Sequence, residues 1–176
     1  MKNFVRMSFS LFVVCIAAGG LLALVNRATR DRIAENAVRE TREALREVFT
    51  GGTEFNEAVK EKQWEVFNEG EKVGTVLKTE VQGYSGKISI MFGLDSDNHI
   101  TGVKILNHSE TPGLGAKITL SSFLDQYRNK KQEELYLKRD KPGGAIDAIT
   151  AATISSRAVT NRMRSAVKSF MKGEAP

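Results

Sequence analysis

Met7 to Val25 reads MSFSLFVVCIAAGGLLALV, nineteen residues without a charged side chain. As a helix this run spans roughly 28 Å at about 1.5 Å per residue, close to the ~30 Å hydrocarbon core of a bilayer. Lys2 and Arg6 precede it, and Arg27, Arg30 and Arg32 follow it. A run of this length between charged flanks predicts a transmembrane helix. A cleaved signal peptide is the rival reading, but its apolar core is shorter and ends at an A-x-A-like site. Here the run continues into Asn26-Arg27 with no such site, which favours an uncleaved anchor. The flanking cations do not set the orientation clearly. By the positive-inside rule they place the large downstream segment in the cytoplasm or decide nothing. Cys15, inside the run, reads as a small hydrophobe.

The remainder is not that of a polytopic membrane protein, since 27% of the 176 residues are charged. One cysteine excludes an intrachain disulfide framework and a Cys-rich zinc or iron–sulfur site. His99 and His108 leave little for a His-built metal centre, and no metal site is expected. The net charge of +5 favours anionic lipid or a phosphate ligand. Nucleic acid is a poor reading, because the basic residues are interleaved with acids and no nucleic-acid-binding motif is present.

After the anchor, Ile33, Ala37, Val38, Ala44, Leu45 and Val48 recur at roughly helical spacing, and Thr50-Gly51-Gly52-Thr53 breaks the pattern. This predicts an amphipathic stalk. Trp64–Phe67 is a short mixed strand. The alternating Val73, Thr75, Leu77, Thr79 and Val81, then Ile88, Ile90, Phe92 and Leu94, then Ile100, Val103 and Ile105, predict an antiparallel meander. Leu120, Phe123, Leu124 and Tyr127 suit a short amphipathic helix. A last helix, capped by Ser155 or Ser156, carries Val159, Met163, Ala166, Val167 and Phe170 and ends near Gly173. The expected fold class is α+β, with a transmembrane helix and stalk preceding an antiparallel sheet and its packed helices. The expected divisions are 1–27 for the tail and anchor, 28–50 for the stalk and 51–176 for the domain.

Three stretches place small and polar residues where a core does not need them. His108–Ala116 contains Glu110-Thr111-Pro112-Gly113-Leu114-Gly115, with a tight turn at Pro112-Gly113. An ordinary strand-to-helix connection accounts for it equally well. Lys141-Pro142-Gly143-Gly144-Ala145 sets a glycine turn beside a cation. Asp147-Ala148-Ile149-Thr150-Ala151-Ala152-Thr153-Ile154-Ser155-Ser156-Arg157 brings four hydroxyls into seven residues just before a helix. A helix start presents unpaired N–H groups and favours a phosphate, to which Arg157 adds charge. Capping explains one serine there, but not Thr150 and Thr153 beside small alanines. The chain has no Walker pattern, G-x-S-x-G elbow or H-E-x-x-H, and neither histidine is linked in sequence to a nucleophile.

Asp147–Thr153 resembles the flavinylation motif of the FMN-binding domain family, D-x-x-[S/T]-G-A-[T/S], with Ala151 in place of the family's glycine. Glu110–Gly115 matches that family's E-T-P-G-L-G signature, and Gly83-Tyr84-Ser85-Gly86 with Ile88 matches its approach to the sheet. With the N-terminal anchor, the likeness extends over nearly the whole chain. It is similar to the G-subunit family of Rnf ion-translocating electron-transport complexes, homologous to the usually longer C subunits of sodium-pumping NADH:quinone reductases.

The resemblance implies covalent FMN, joined by a phosphoester to the Thr153 hydroxyl by a dedicated flavin transferase. Asp147 and Thr150 would be recognised by that transferase or support the phosphate. Glu110, Thr111, Leu114 and Gly115 would line the isoalloxazine ring, and Lys141 would bring a cation near it. The helix around Ser155 and Ser156 would stabilise the phosphodiester. No residue of the chain is catalytic by itself in this reading: it is an electron carrier within a ferredoxin:NAD oxidoreductase that moves sodium or protons. Its partners are the other integral and peripheral subunits, the flavin transferase and membrane lipid. Its flavin domain faces the periplasm or its equivalent, from a single-pass anchor in the inner membrane. Three alternatives stay open: the homologous subunit of a sodium-pumping NADH:quinone reductase, a membrane-anchored assembly or regulatory module without a redox role, and a noncovalent FMN reductase with a signal peptide.

Overall fold

The computed structural model describes residues 2–174, and their side chains except those of 2–5, 31 and 34. The Lys2 side chain of the predicted flank and the last two residues of the domain therefore lie outside the described groups. One uninterrupted helix, α1, runs from Lys2 to Val48. Anchor and stalk are continuous because nothing between them breaks a helix: Asn26-Arg27 lacks glycine and proline. Arg6–Arg30 is long and apolar enough to cross a membrane. Within the apolar run, the Ser10 hydroxyl donates to the Arg6 carbonyl one turn back at 3.0 Å, so it needs no water.

The chain divides into two compact units, Met1–Arg42 and Glu43–Pro176. The second opens with the last turns of α1, followed by five strands: β1 (Glu54–Val59), β2 (Gln63–Asn68), β3 (Glu71–Gln82), β4 (Lys87–Asp95) and β5 (Ile100–His108). They form one antiparallel sheet in the order β1-β2-β3-β4-β5, the predicted meander. The edge strand β1 was not foreseen from the sequence. Its side chains are mostly exposed, so it carries little of the alternation that marks a half-buried strand.

Both faces of the sheet are covered. On one, Leu77, Ile88, Ile90, Phe92 and Leu94 pack with Ile118, Phe123 and Tyr127 and with Val159, Met163 and Val167 of the last helix, Thr153–Met171. On the other, Trp64, Val66, Val76 and Met91 pack with Ala44, Leu45, Val48 and Phe49 from the end of the stalk. Gly93 of β4 and Gly102 of β5, paired across the ladder, allow that approach. A Cβ at Gly102 would lie 2.8 Å from the Val48 carbonyl oxygen.

The predicted helix at Leu120–Tyr127 is one turn of α-helix, α2 (Ser121–Leu124), passing into a 3₁₀ turn at Asp125–Tyr127. The serine capping of the last helix, α3 (Thr153–Met171), is corrected. It begins earlier, at Thr153, with Ala152 as an N-cap that lends no side chain. Ser155 and Ser156 lie inside its first turn, where their hydroxyls are buried and bonded to other segments. At the far end Gly173 has φ +75°, and the Gly173 and Glu174 amides bond to Phe170 and Ser169 in a Schellman arrangement.

Candidate functional site

The end of β3, the start of β4 and the end of β5 lie at one end of the sheet, because Gln82 pairs with Lys87 and Ile88 with His108. The 83–86 turn, the 109–116 segment and the start of α3 therefore meet there. Glu110 joins all three and is 5% exposed. Its Oε1 accepts the Ser85 amide at 3.1 Å and its Oε2 accepts the Ser155 hydroxyl at 2.5 Å. Its own amide donates to His108 Nδ1 at 3.2 Å. A buried carboxylate is tolerated only when so bonded. Two glycines leave room for it: a Cβ at Gly83 would collide with Oε1, and one at Gly115 would lie 2.6 Å from Oε2.

These segments enclose a cleft of about 410 Å³, a common size for a small-molecule or cofactor site. Glu110, Thr111, Leu114, Gly115, Thr153 and Ser155, all expected from the sequence, are among its lining. Tyr84, Ile154 and the Ala151-Ala152 pair complete it. The Ser85 and Thr111 hydroxyls lie 3.1 Å apart, tying the 83–86 turn to the E-T-P-G loop a second time. Tyr84, Leu114 and Ile154 are exposed apolar side chains on this cleft. Such surface suits a planar ring.

Thr153 is the first residue of α3. The first intrahelical bond runs from the Ser156 amide to the Ala152 carbonyl, so the amides before it are the unpaired donors of a helix start. The segment before it is a tight turn, in which the Ala152 amide bonds to the Ile149 carbonyl at 3.0 Å. Its third residue, Ala151, has φ +64°, the left-handed conformation that favours glycine. Ser156 holds this turn, accepting the Ile149 amide and donating to the Ala152 carbonyl. Thr160 then donates to the Ser156 carbonyl and accepts the buried Tyr127 hydroxyl at 2.7 Å. Burial pushes the Tyr127 hydroxyl well above the ordinary phenol range.

The other sequence candidates lie around the cleft and are not part of its wall. Thr150 is exposed in the turn. The Asp147 carboxylate bonds Lys138 at 2.6 Å, and its amide donates to Gln126 Oε1. Lys141 Nζ sits over the Tyr136 ring, 4.1 Å from its centroid. Arg157, read from sequence as a charge for the phosphate, is bound by both oxygens of Asp140 at 2.6 and 2.8 Å. That guanidinium holds the Asp140 carboxyl below the usual carboxylate range. The cation that faces Thr153 is Arg139, whose Nη1 donates to Thr153 Oγ1 at 3.1 Å. Sequence reasoning missed it because it lies fourteen residues upstream in a stretch without a motif.

The donor set fits a flavin mononucleotide. Thr153, whose hydroxyl accepts the Arg139 guanidinium, stands at a helix start on a cleft that Tyr84, Leu114 and Ile154 also line. Residues 83–168 match the FMN-binding domain family, and residues 1–48 match the RnfG N-terminal region. The chain is 32% identical over 161 residues to the G subunit of the proton-translocating ferredoxin:NAD(+) oxidoreductase complex of Clostridium ljungdahlii, covering 90% of this chain and 87% of that one. It is 31% identical over 178 residues to the G subunit of the ion-translocating oxidoreductase complex of Methanosarcina acetivorans, covering 94% of each. The C subunit of the sodium-translocating NADH-quinone reductase of Parabacteroides distasonis shares the fold. Its TM-score is 0.52 at 23% identity, over 62% of this chain and 60% of that one. The near-complete mutual coverage, together with both family matches, shows that the chain belongs to the G-subunit family of ion-translocating oxidoreductase complexes and carries an FMN-binding domain.

Proposed function

We propose that the chain is a membrane-anchored electron carrier of an ion-translocating ferredoxin:NAD oxidoreductase, with FMN held by a phosphoester to Thr153. The observation that carries this reading is the placement of the Thr153 hydroxyl on the cleft, at the start of α3, in a chain matched along its length by G-subunit proteins. A bound flavin would supply the redox chemistry, and the protein supplies binding, orientation and electrostatics. Tyr84, Leu114 and Ile154, exposed on the cleft, would flank the ring. Glu110 fixes the two loops and the helix start against one another and sets a buried carboxyl group beside the cleft. Asp147 and Thr150 belong to the segment that a flavin transferase would read, and Ser156 holds the turn in front of Thr153.

By role, residues 1–27 form the tail and single-pass anchor, 28–50 the stalk and 51–176 the flavin domain, on the extracytoplasmic side of the inner membrane. The apolar, fully exposed face of Arg6–Arg30 supports the anchor, which would meet lipid and the other subunits. The ester would keep the flavin from dissociating outside the cytoplasm. Electron flow and ion movement belong to the assembled complex.

The test is the intact mass of the full chain co-expressed with a flavin transferase, beside a Thr153→Val variant. The expected result is a mass raised by FMN less one water in the wild type and an unmodified variant. No adduct on either chain removes the ester and leaves the assembly module or a noncovalent binder. An adduct on both moves the attachment to a neighbouring hydroxyl such as Thr150.

A further inference from the structure

We infer that Arg139 is the anion-binding side chain of the attachment site, holding the phosphodiester formed on Thr153. This rests on Thr153 as the attachment residue and adds the group that neutralises the charge placed there. The Arg139 guanidinium already donates to Thr153 Oγ1 at 3.1 Å. The neighbouring cations are engaged elsewhere. Lys138 pairs with Asp147 at 2.6 Å. Lys141 and Arg164 both stack on the Tyr136 ring, at 4.1 and 3.9 Å from its centroid. Arg157 is taken by both Asp140 oxygens.

The backbone around Arg139 is pinned on both sides. Leu137 forms a parallel bridge with Ile146, and the Lys138 amide donates to the Ile146 carbonyl at 2.9 Å. On the other side the Asp140–Arg157 pair ties the segment to α3, one turn beyond Thr153. The exposed guanidinium is held beside the attachment oxygen by its bond to Thr153 Oγ1. It offers five donors in a plane, of which the Thr153 hydroxyl takes one. The remaining donors suit the two non-bridging oxygens of a phosphodiester, which a guanidinium contacts in bidentate geometry and an ammonium does not.

The experiment is a melting cycle on the full chain in detergent, as wild type, Arg139→Ala and Arg139→Lys, each with and without flavin installed by excess transferase and FAD, the Thr153 oxygen displacing AMP as the FAD pyrophosphate bond breaks. Intact mass reports occupancy, and phosphorus NMR reports the environment of the diester. The expected result is that flavinylation raises the melting midpoint of the wild type by about 3 °C or more beyond the rise in Arg139→Ala, with Arg139→Lys between them. The phosphorus resonance is expected to shift in Arg139→Ala. A purely structural arginine lowers both forms of the chain equally, so an equal rise in all three chains with an unmoved resonance overturns the proposal. A wild-type chain that takes no flavin removes the attachment reading, and this inference with it. A wild-type adduct with equal rises removes this inference alone.

Discussion

Ala151 carries the clearest conflict between residue type and backbone. Its φ of +64° lies in the left-handed region, where a Cβ costs about 1–2 kcal/mol. The conformation persists because the turn is held from outside: Ser156 bonds Ile149 and Ala152, and the Ala152 amide closes back on Ile149. The flavinylation motif resembled by this stretch has glycine at that position, and the turn supplies the physical reason. Ala151→Gly is expected to raise stability by about 0.5–1 kcal/mol, the strain relieved less the extra unfolded-state entropy of glycine. Urea unfolding of the two chains checks this, and an unchanged or lower midpoint for the variant would show that the turn is not strained. Glu110 is the opposite case, a charged residue in a buried place with its demands met. Its two acceptor oxygens engage segments that lie 25 and 45 residues away in the chain.

At the scale of elements, α3 organises the site through its start and its second turn. Its start presents Thr153 and Ser155 to the cleft, and Gly173 closes its far end. Between them, Arg157 reaches out to Asp140 and fixes the segment carrying Arg139. This pair gives an acid dependence with a definite sign. The Asp140 carboxyl is held below its ordinary value of 3.8, first by the Arg157 hydrogen bond. A carboxyl with a depressed folded-state value contributes stability above its unfolded-state value and loses it as pH falls through the folded-state value. The melting difference between wild type and Asp140→Asn is therefore expected to be constant near neutrality and to shrink below about pH 4. A difference that does not change between pH 7 and pH 2 would show that the pair contributes nothing in solution.

At the scale of the molecule, the end of α1 belongs structurally to the sheet that follows it. The second compact unit starts at Glu43, and Leu45, Val48 and Phe49 cover the face of the sheet opposite α3. Burying an apolar side chain of that kind contributes about 1.5–3 kcal/mol. Losing all three is comparable to the whole stability of a small domain, about 5–15 kcal/mol. A chain beginning at Glu43 is thus expected to fold cooperatively, while one beginning at Gly51 melts far lower or remains partly unfolded. Circular dichroism melts of the two fragments check this. Equal midpoints would mean that the outer face of the sheet needs no cover from the helix.

The anchor, the meander and the last helix were legible in the sequence because each is a local periodicity. An uncharged run of nineteen residues, strict alternation and a three-to-four spacing each follow from the geometry of one element. The E-T-P-G and D-x-x-T motifs were legible because small residues and hydroxyls gather where an apolar core has no use for them. What tertiary structure decided is which side chains are spent on each other. Nothing in the sequence pairs Arg157 with Asp140, sets Lys141 on Tyr136 or turns Arg139 to Thr153, since such pairs depend on distances across the fold. Nor does helical periodicity say that α3 starts at Thr153, because Ser155 and Ser156 are recruited by Glu110 and Ile149 from outside the helix. Elements follow from repeating local geometry, whereas a site depends on the one-time meeting of segments that only packing brings together.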